Sequence, residues 1–280
     1  MIQLLTAATR MLITLSNNPN WKNELLYNAP PVLWFGNSKS EKPKVLTMGA
    51  NPSRAEFLQD NKNIAKQKIS NGQQPTYLSN KRFYHLNNGQ SFTSIINNNN
   101  LQTSILDSYD RYFKVNPYRK WFGINKMNSY NVEGVLRGLD ASYYDIDSKY
   151  RACHIDIIPF TTISDFNQIQ NMIASTLLNN GWGKPIVDDL IDYFNPEVIL
   201  IFGLANFNNF CKYFKVSPGS KKTWKSCNGK GKCDYWTPCY GQYKIIGLST
   251  NLGNPIGFDS RGLNDLGCYL NTVLLNSKCP

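Results

Sequence analysis

Val45-Leu46-Thr47-Met48-Gly49-Ala50-Asn51-Pro52-Ser53 passes within one short stretch from a strongly apolar run to residues that favour turns. An apolar run of this length, bounded by turn formers, reads as a strand buried on both faces, the form strands take in parallel sheets. Gly, Asn and Pro then close it as a tight turn. Three further segments have the same character. They are Ala152-Cys153-His154-Ile155-Asp156-Ile157-Ile158, Val198-Ile199-Leu200-Ile201-Phe202-Gly203 and Lys244-Ile245-Ile246-Gly247-Leu248. Helical spacing lies between and after them. Ile169, Met172, Ile173, Leu177 and Leu178, followed by Ile186, Leu190 and Ile191, predict helix within 164–193. Leu263, Leu266, Leu270, Val273 and Leu274 predict another over 263–275. Strands alternating with helices predict an α/β sandwich around a short parallel sheet, with ligands outside the carboxyl ends of the strands.

Two stretches break the alternation. Residues 103–150 are rich in aromatic and basic side chains, among them Tyr109, Tyr112, Phe113, Arg119, Lys120, Trp121 and Phe122. Residues 217–243 are rich in Gly, Lys and Cys. With no repeat and no convincing linker, residues 1–280 read as a single domain carrying these two insertions. The chain is 41% hydrophobic, which is enough for a sizeable core and excludes a disordered chain. Its formal net charge of +11 suggests a polyanionic partner.

No apolar run approaches the roughly 20 residues that span a bilayer. The N-terminal residues lack a basic start and are interrupted by Arg10, which favours an amphipathic helix over a signal peptide. Seven cysteines, an odd number, predict a reduced, cytoplasmic protein rather than a disulfide scaffold. Cys227, Cys233 and Cys239 are spaced too widely for a usual structural zinc site, even with Cys211 nearby, and read as free or buried thiols.

Three strand ends carry residues with chemical potential. The first is Gly49-Ala50-Asn51-Pro52-Ser53. The second is Asp156-Ile157-Ile158-Pro159-Phe160, in which a carboxylate interrupts an apolar run and must be paired or face a site. The third is Ser249-Thr250-Asn251-Leu252-Gly253-Asn254-Pro255-Ile256-Gly257-Phe258, a polar loop with apolar tips. In order and spacing these segments resemble the uracil-DNA glycosylase superfamily, nearest its single-strand-selective monofunctional and mismatch-specific branches. The similarity covers roughly residues 43–60, 150–162, 196–206 and 243–262. It implies a three-layer α/β/α sandwich around a four-stranded parallel sheet, and hydrolysis of a base–sugar bond in DNA without metal or organic cofactor.

Carried onto this sequence, the resemblance makes Asn51 the residue that positions the attacking water. Gly49, Ala50, Phe57, Asp156, Phe160, Ser249, Thr250 and Asn251 become the groups around the base, with Phe57 as the stacking ring or a core residue. Ile256 or Phe258 becomes the wedge that fills the gap left in the stack. Arg119, Lys120, Lys221, Lys222, Lys225 and Arg261 become contacts to DNA. DNA is thus the expected partner, with no membrane and no obligate protein partner evident.

Two departures from the family pattern shape the expected substrate. The family's His-Pro-Ser loop has no counterpart for its His, and Asp156 replaces an Asn. A carboxylate only accepts hydrogen bonds, and the exocyclic amine of cytosine is the matching base edge. Asp156 therefore points to a modified cytosine, such as the hydroxymethylated or glucosylated base of phage DNA, and to an antiphage role. Asp156 could also activate the water or simply be a structural carboxylate. An ordinary uracil or mismatch repair glycosylase, and an inactive DNA-binding protein of this fold, are the competing readings.

Overall fold

The four apolar runs become four neighbouring strands of one sheet. In a computed structural model the described residues are 1–126, 131–144, 147–173, 176, 183–226, 231–251, 258–276 and 279. The strands are β1 (Lys44–Gly49), β2 (Ala141–Ser142), β3 (Tyr150–Asp156), β4 (Val198–Phe202), β5 (Lys222–Lys225), β6 (Lys232–Trp236), β7 (Cys239–Tyr240) and β8 (Tyr243–Leu248). Their order is β2-β3-β1-β4-β8-β6-β5, with β7 paired to β8. Among the described residues the sheet therefore has eight strands where four were expected. The expected four occupy the consecutive places β3-β1-β4-β8.

The parallel pairs are β2 with β3, β1 with β4, and β4 with β8. Every residue of β1 and β4 is buried, as continuous apolar runs require. The additional strands come from the segments read as insertions. Residues 217–243 supply β5, β6 and β7, which extend the sheet antiparallel from β8. In β5 and β6 the buried residues are Trp224, Cys233 and Tyr235, alternating with lysines and other more exposed positions. The basic composition of this segment hid a period-two pattern.

The chain forms two compact units, each drawn from three stretches. The first comprises Met1–Phe35, Ala50–Asn116 and Ile155–Leu190. The second comprises Gly36–Gly49, Pro117–His154 and Ile191–Pro280 and contains nearly all of the sheet. The first unit packs the helix Ile2–Ser16 on the helices Phe92–Asn97 and Asn99–Asp110. The N-terminal segment is thus the expected amphipathic helix, burying Leu4, Leu5, Ala8, Leu12 and Leu15. Trp21, Trp34, Phe35, Phe83, Tyr109 and Tyr112 fill the core of this unit. Trp34 Nε1 donates to Asp110 at 3.0 Å, and the Tyr109 hydroxyl donates to the Pro31 carbonyl.

In the second unit the helices Val132–Gly138 and Ser260–Asn276 approach through glycine. A Cβ placed on Gly138 would stand 2.0 Å from the Asn264 carbonyl oxygen, and one on Gly267 would stand 2.0 Å from that of Val135. Glu133, fully buried on the first of these helices, accepts from Arg137 Nε at 2.7 Å, Ser142 Oγ at 2.6 Å and the Tyr143 amide at 3.2 Å. This network satisfies a charge that burial would otherwise make costly, and it ties β2 to its helix.

The helices expected within 164–193 and 263–275 appear as Phe166–Ile173, Gly183–Phe194 and Ser260–Asn276. Leu177 and Leu178 lie outside the described residues. The cysteine reading needs correction. Cys239 and Cys279 form a disulfide, while Cys153, Cys211, Cys233 and Cys268 are outside any disulfide. Spacing along the chain could not disclose a pairing across 40 residues. Cys227 lies outside the described residues. Among the described residues no helix is long and apolar enough to cross a membrane.

Candidate functional site

The sheet order reverses around β1, because the chain leaves it for β3 on one side and later places β4 on the other. The carboxyl ends of β1 and β4 therefore flank the place where α/β sheets bind ligands. Gly49 closes β1 and passes the chain to Ala50 and Asn51.

In the first unit the first two motifs are bound to each other. The Ile158 amide donates to the Ala50 carbonyl at 3.0 Å. Asn51 Nδ2 donates to Thr162 Oγ1 at 3.0 Å, to the Phe160 carbonyl at 3.4 Å and to the Pro52 carbonyl at 3.3 Å. Thr162 Oγ1 in turn donates to the Ser164 carbonyl at 2.8 Å, which leaves it an acceptor toward Asn51. The amide nitrogen is thus committed to the protein. Its Oδ1 accepts no hydrogen bond from any described residue and is available to a water. An amide held this way can orient a nucleophile but cannot take its proton as a strong base.

The second motif is well braced. The Val32 amide donates to the Pro159 carbonyl at 2.8 Å, and the Ile163 amide to the Glu24 carbonyl at 2.8 Å. The Glu24 carboxylate accepts from the Ser164 amide and hydroxyl, each at 3.0 Å. Between these anchors the Thr161 hydroxyl is buried with no hydrogen-bond partner among the described residues. Asp156, at the end of β3, is only 4% exposed.

Glu56 is the residue that sequence reasoning missed. It follows the Asn51 turn, is buried, and accepts from the Tyr112 hydroxyl at 2.8 Å. Arg82 lies 3.6 Å from the same carboxylate and donates to the Ala55 carbonyl at 2.7 Å. Burial pushes the Glu56 carboxyl up to about 7; Arg82 and the Tyr112 hydrogen bond oppose the rise, and the charge of Asp156 adds to it. A carboxylic acid placed one residue before Phe57-Leu58 was the available signal. Arg82 and Tyr112 are remote in sequence and gave none.

This carboxyl makes stability depend on pH. It holds its proton more tightly in the folded chain than at the ordinary value of 4.5, so its contribution is complete below that pH and is lost as pH rises through about 7. The span corresponds to roughly 3 kcal/mol. Urea titrations of wild type from pH 5 to 8 should show this decline, and Glu56→Gln should flatten it. An unchanged slope in the variant would assign the pH dependence to other groups.

The expected stacking rings are both core residues. Phe57 is fully buried, its ring stacked on Phe83 at 5.8 Å and tilted against His85 at 5.2 Å, and Phe160 is buried as well. Neither presents an open face to a base as it stands. Both follow strand-end turns, where an apolar residue folds inward to cover the core. The same holds for much of the aromatic–basic stretch, since Tyr109, Tyr112, Phe113 and Phe122 are buried.

The third motif belongs to the second unit. Ser249 is tied to β6, its Oγ accepting from the Asp234 amide at 2.9 Å and its own amide donating to the Asp234 carbonyl at 2.8 Å. Thr250 is half-buried and Asn251 is exposed. Gly203 adopts φ +91°, its amide donates to the Leu248 carbonyl at 2.9 Å, and a Cβ there would come within 3.9 Å of Asn206 and Asn251. Ile256 lies outside the described residues. Phe258 stacks on Trp224 with ring centroids 5.9 Å apart, against Gly231. Lys221, Lys222, Lys225, Arg119, Lys120 and Arg261 are exposed, with Lys221 3.5 Å from Asp234. His154 is buried in β3; its Nδ1 is 2.9 Å from Thr47 Oγ1, and its ring lies 4.8 Å from Trp121 and 5.1 Å from Phe122.

No family model, curated protein or solved structure matches this chain. Among the described residues no group of three or more His, Cys, Asp or Glu side chains is placed to hold a metal.

Proposed function

We propose that this protein is a monofunctional DNA N-glycosylase of the uracil-DNA glycosylase type. Its substrate is a flipped-out, 5-substituted cytosine, such as the hydroxymethylated or glucosylated cytosine of phage DNA, and its role is antiphage defence in the cytoplasm. The observation that carries this reading is the Asn51 amide, whose nitrogen is fixed by Thr162 and Phe160 while its oxygen is left to accept from water. The finer architecture implied is a three-layer α/β/α sandwich.

In the reaction, water adds to the anomeric carbon of an oxocarbenium-like sugar as the glycosidic bond breaks. The base leaves with the bonding electrons and is protonated, and an abasic site remains. Asn51 orients the water. Asp156 accepts from the exocyclic amine of the base. On the second unit, the exposed cations Lys222, Lys225, Arg119, Lys120 and Arg261 are available to phosphates.

The test is incubation with DNAs carrying uracil, cytosine, hydroxymethylcytosine or glucosylated hydroxymethylcytosine, followed by alkaline cleavage. Abasic sites should form on the modified-cytosine DNAs. Their absence from every DNA would leave an inactive DNA-binding protein as the reading. Asp156→Asn should then shift preference toward uracil. A carboxylate facing the uracil O4 puts two acceptors together, at a cost of about 1–3 kcal/mol or roughly tenfold in rate and above. Efficient uracil excision by wild type with no shift in the variant would make Asp156 a structural carboxylate.

A further inference from the structure

A pocket of about 290 Å³ opens in the first unit away from the Asn51 turn along the sequence, lined by Lys81, Arg82, Tyr84, His85, Ser108 and Arg111 among others. No acidic residue lines it. We propose that this pocket is an anion site taking the phosphoryl group of a nucleotide-sized ligand, with Lys81 and Arg111 holding the phosphate. The proposal does not depend on the glycosylase reading.

Arg82 is engaged with Glu56 and the Ala55 carbonyl. Lys81 and Arg111, in contrast, have no carboxylate partner among the described residues, and Arg111 spends only its Nε on the Asp107 carbonyl, at 3.3 Å. Two cations beside one cavity repel each other until an anion occupies it. A phosphoryl group can carry two negative charges, and the guanidinium fork of Arg111 matches its oxygens.

The walls add a second requirement. Ser108 and Tyr84 are not open donors, because the Ser108 hydroxyl donates to the Ile105 carbonyl and the Tyr84 hydroxyl lies 3.4 Å from Gln90 Oε1. Asn87 also lines the wall, and its aromatic and apolar part is formed by Phe83, the body of Tyr84 and the exposed Val115. A ligand with a flat apolar part and one anionic end fits such a lining better than a bare ion. The volume lies near the lower end of the range for small-molecule sites, about 300–1,000 Å³, and suits a mononucleotide.

His85 supplies the reporter. It lines the pocket, is 4% exposed, and its Nε2 is buried without a hydrogen-bond partner among the described residues. A buried polar group left unpaired costs about 1–3 kcal/mol and calls for an explanation such as an absent ligand or water. Burial and the charge of Lys81 hold the imidazole down to about 4. An anion bound beside it must push that value up.

The chain has only two histidines, so proton–carbon NMR resolves His85 with the buried His154 as internal control. The full-length protein is titrated with inorganic phosphate, with dCMP, with a short single-stranded oligonucleotide lacking terminal phosphates, and with acetate. The expected result is a saturable shift of the His85 resonance and a rise in its pKa with dCMP, weaker with phosphate, and no movement of His154. A response to dCMP with a silent oligonucleotide identifies a free nucleotide as the source. A response to the oligonucleotide identifies the phosphates of a DNA strand. Arg111→Gln and Lys81→Gln, both at exposed positions, should each weaken binding about tenfold or more. A His85 resonance that no phosphate compound moves, one that acetate moves equally, or binding unchanged in both variants would overturn the proposal.

Discussion

Gly267→Ala is expected to lower the stability of the second unit by about 3 kcal/mol or more, the upper end for overpacking a core. The added methyl carbon meets the Val135 carbonyl oxygen at 2.0 Å, Gly138 Cα at 2.8 Å and the Leu139 amide at 3.0 Å. Every one of these is backbone. No rotamer change relieves the clash, so the helices Val132–Gly138 and Ser260–Asn276 must separate. Separation would expose Leu136, Leu263 and Leu266, all of which are fully buried. Gly138→Ala should behave alike, since its Cβ would meet the Asn264 carbonyl oxygen at 2.0 Å. Gly219→Ala is the control. That residue has φ +70° with nothing within 4 Å, so only backbone strain applies, about 1 kcal/mol. Thermal melts followed by circular dichroism separate the three. A Gly267→Ala protein melting with wild type would mean that the two helices do not touch as described.

Asn51→Ala should reduce base excision by about a hundredfold or more while DNA affinity is preserved, if the proposed chemistry holds. The size follows from what is lost. A water held by an oriented amide oxygen attacks from one position, whereas a free water must find that position by chance. Thr162→Val tests the positioning of the amide without touching the water. It removes the 3.0 Å acceptor of Asn51 Nδ2 and should produce a smaller loss in kcat with little change in KM. Single-turnover assays on the preferred DNA, paired with binding titrations, read both variants. Full excision by Asn51→Ala would leave this residue only a role in its turn.

The central strands were legible because physics writes them redundantly. β1 and β4 are buried on both faces, so β4 is wholly apolar and β1 is apolar apart from Lys44 and Thr47, and both stand out without any partner in view. β5 and β6 carry lysines on their exposed positions, and Trp224, Cys233 and Tyr235 are too few to mark a strand in a Gly-rich stretch. The turn at Asn51 could be read from its residues, as could the oddity of Asp156. Its locking to Thr162 could not, because a side-chain hydrogen bond across 111 positions leaves no local pattern. The Glu56, Arg82 and Tyr112 cluster was hidden for the same reason. Phe57 and Phe160 show the limit of motif reasoning: an aromatic at the right offset is equally well used to seal the core.

The bond between Cys239 and Cys279 has a consequence for the unfolded chain. It closes a loop of 40 residues containing β8 and the helix Ser260–Asn276. In the chain-entropy picture a closure of that length restricts the unfolded ensemble by about 4 kcal/mol. A thiol-rich medium would release that restriction and return the freedom to the denatured state. The endurance of this end of the sheet is therefore set partly by the electron supply of its surroundings.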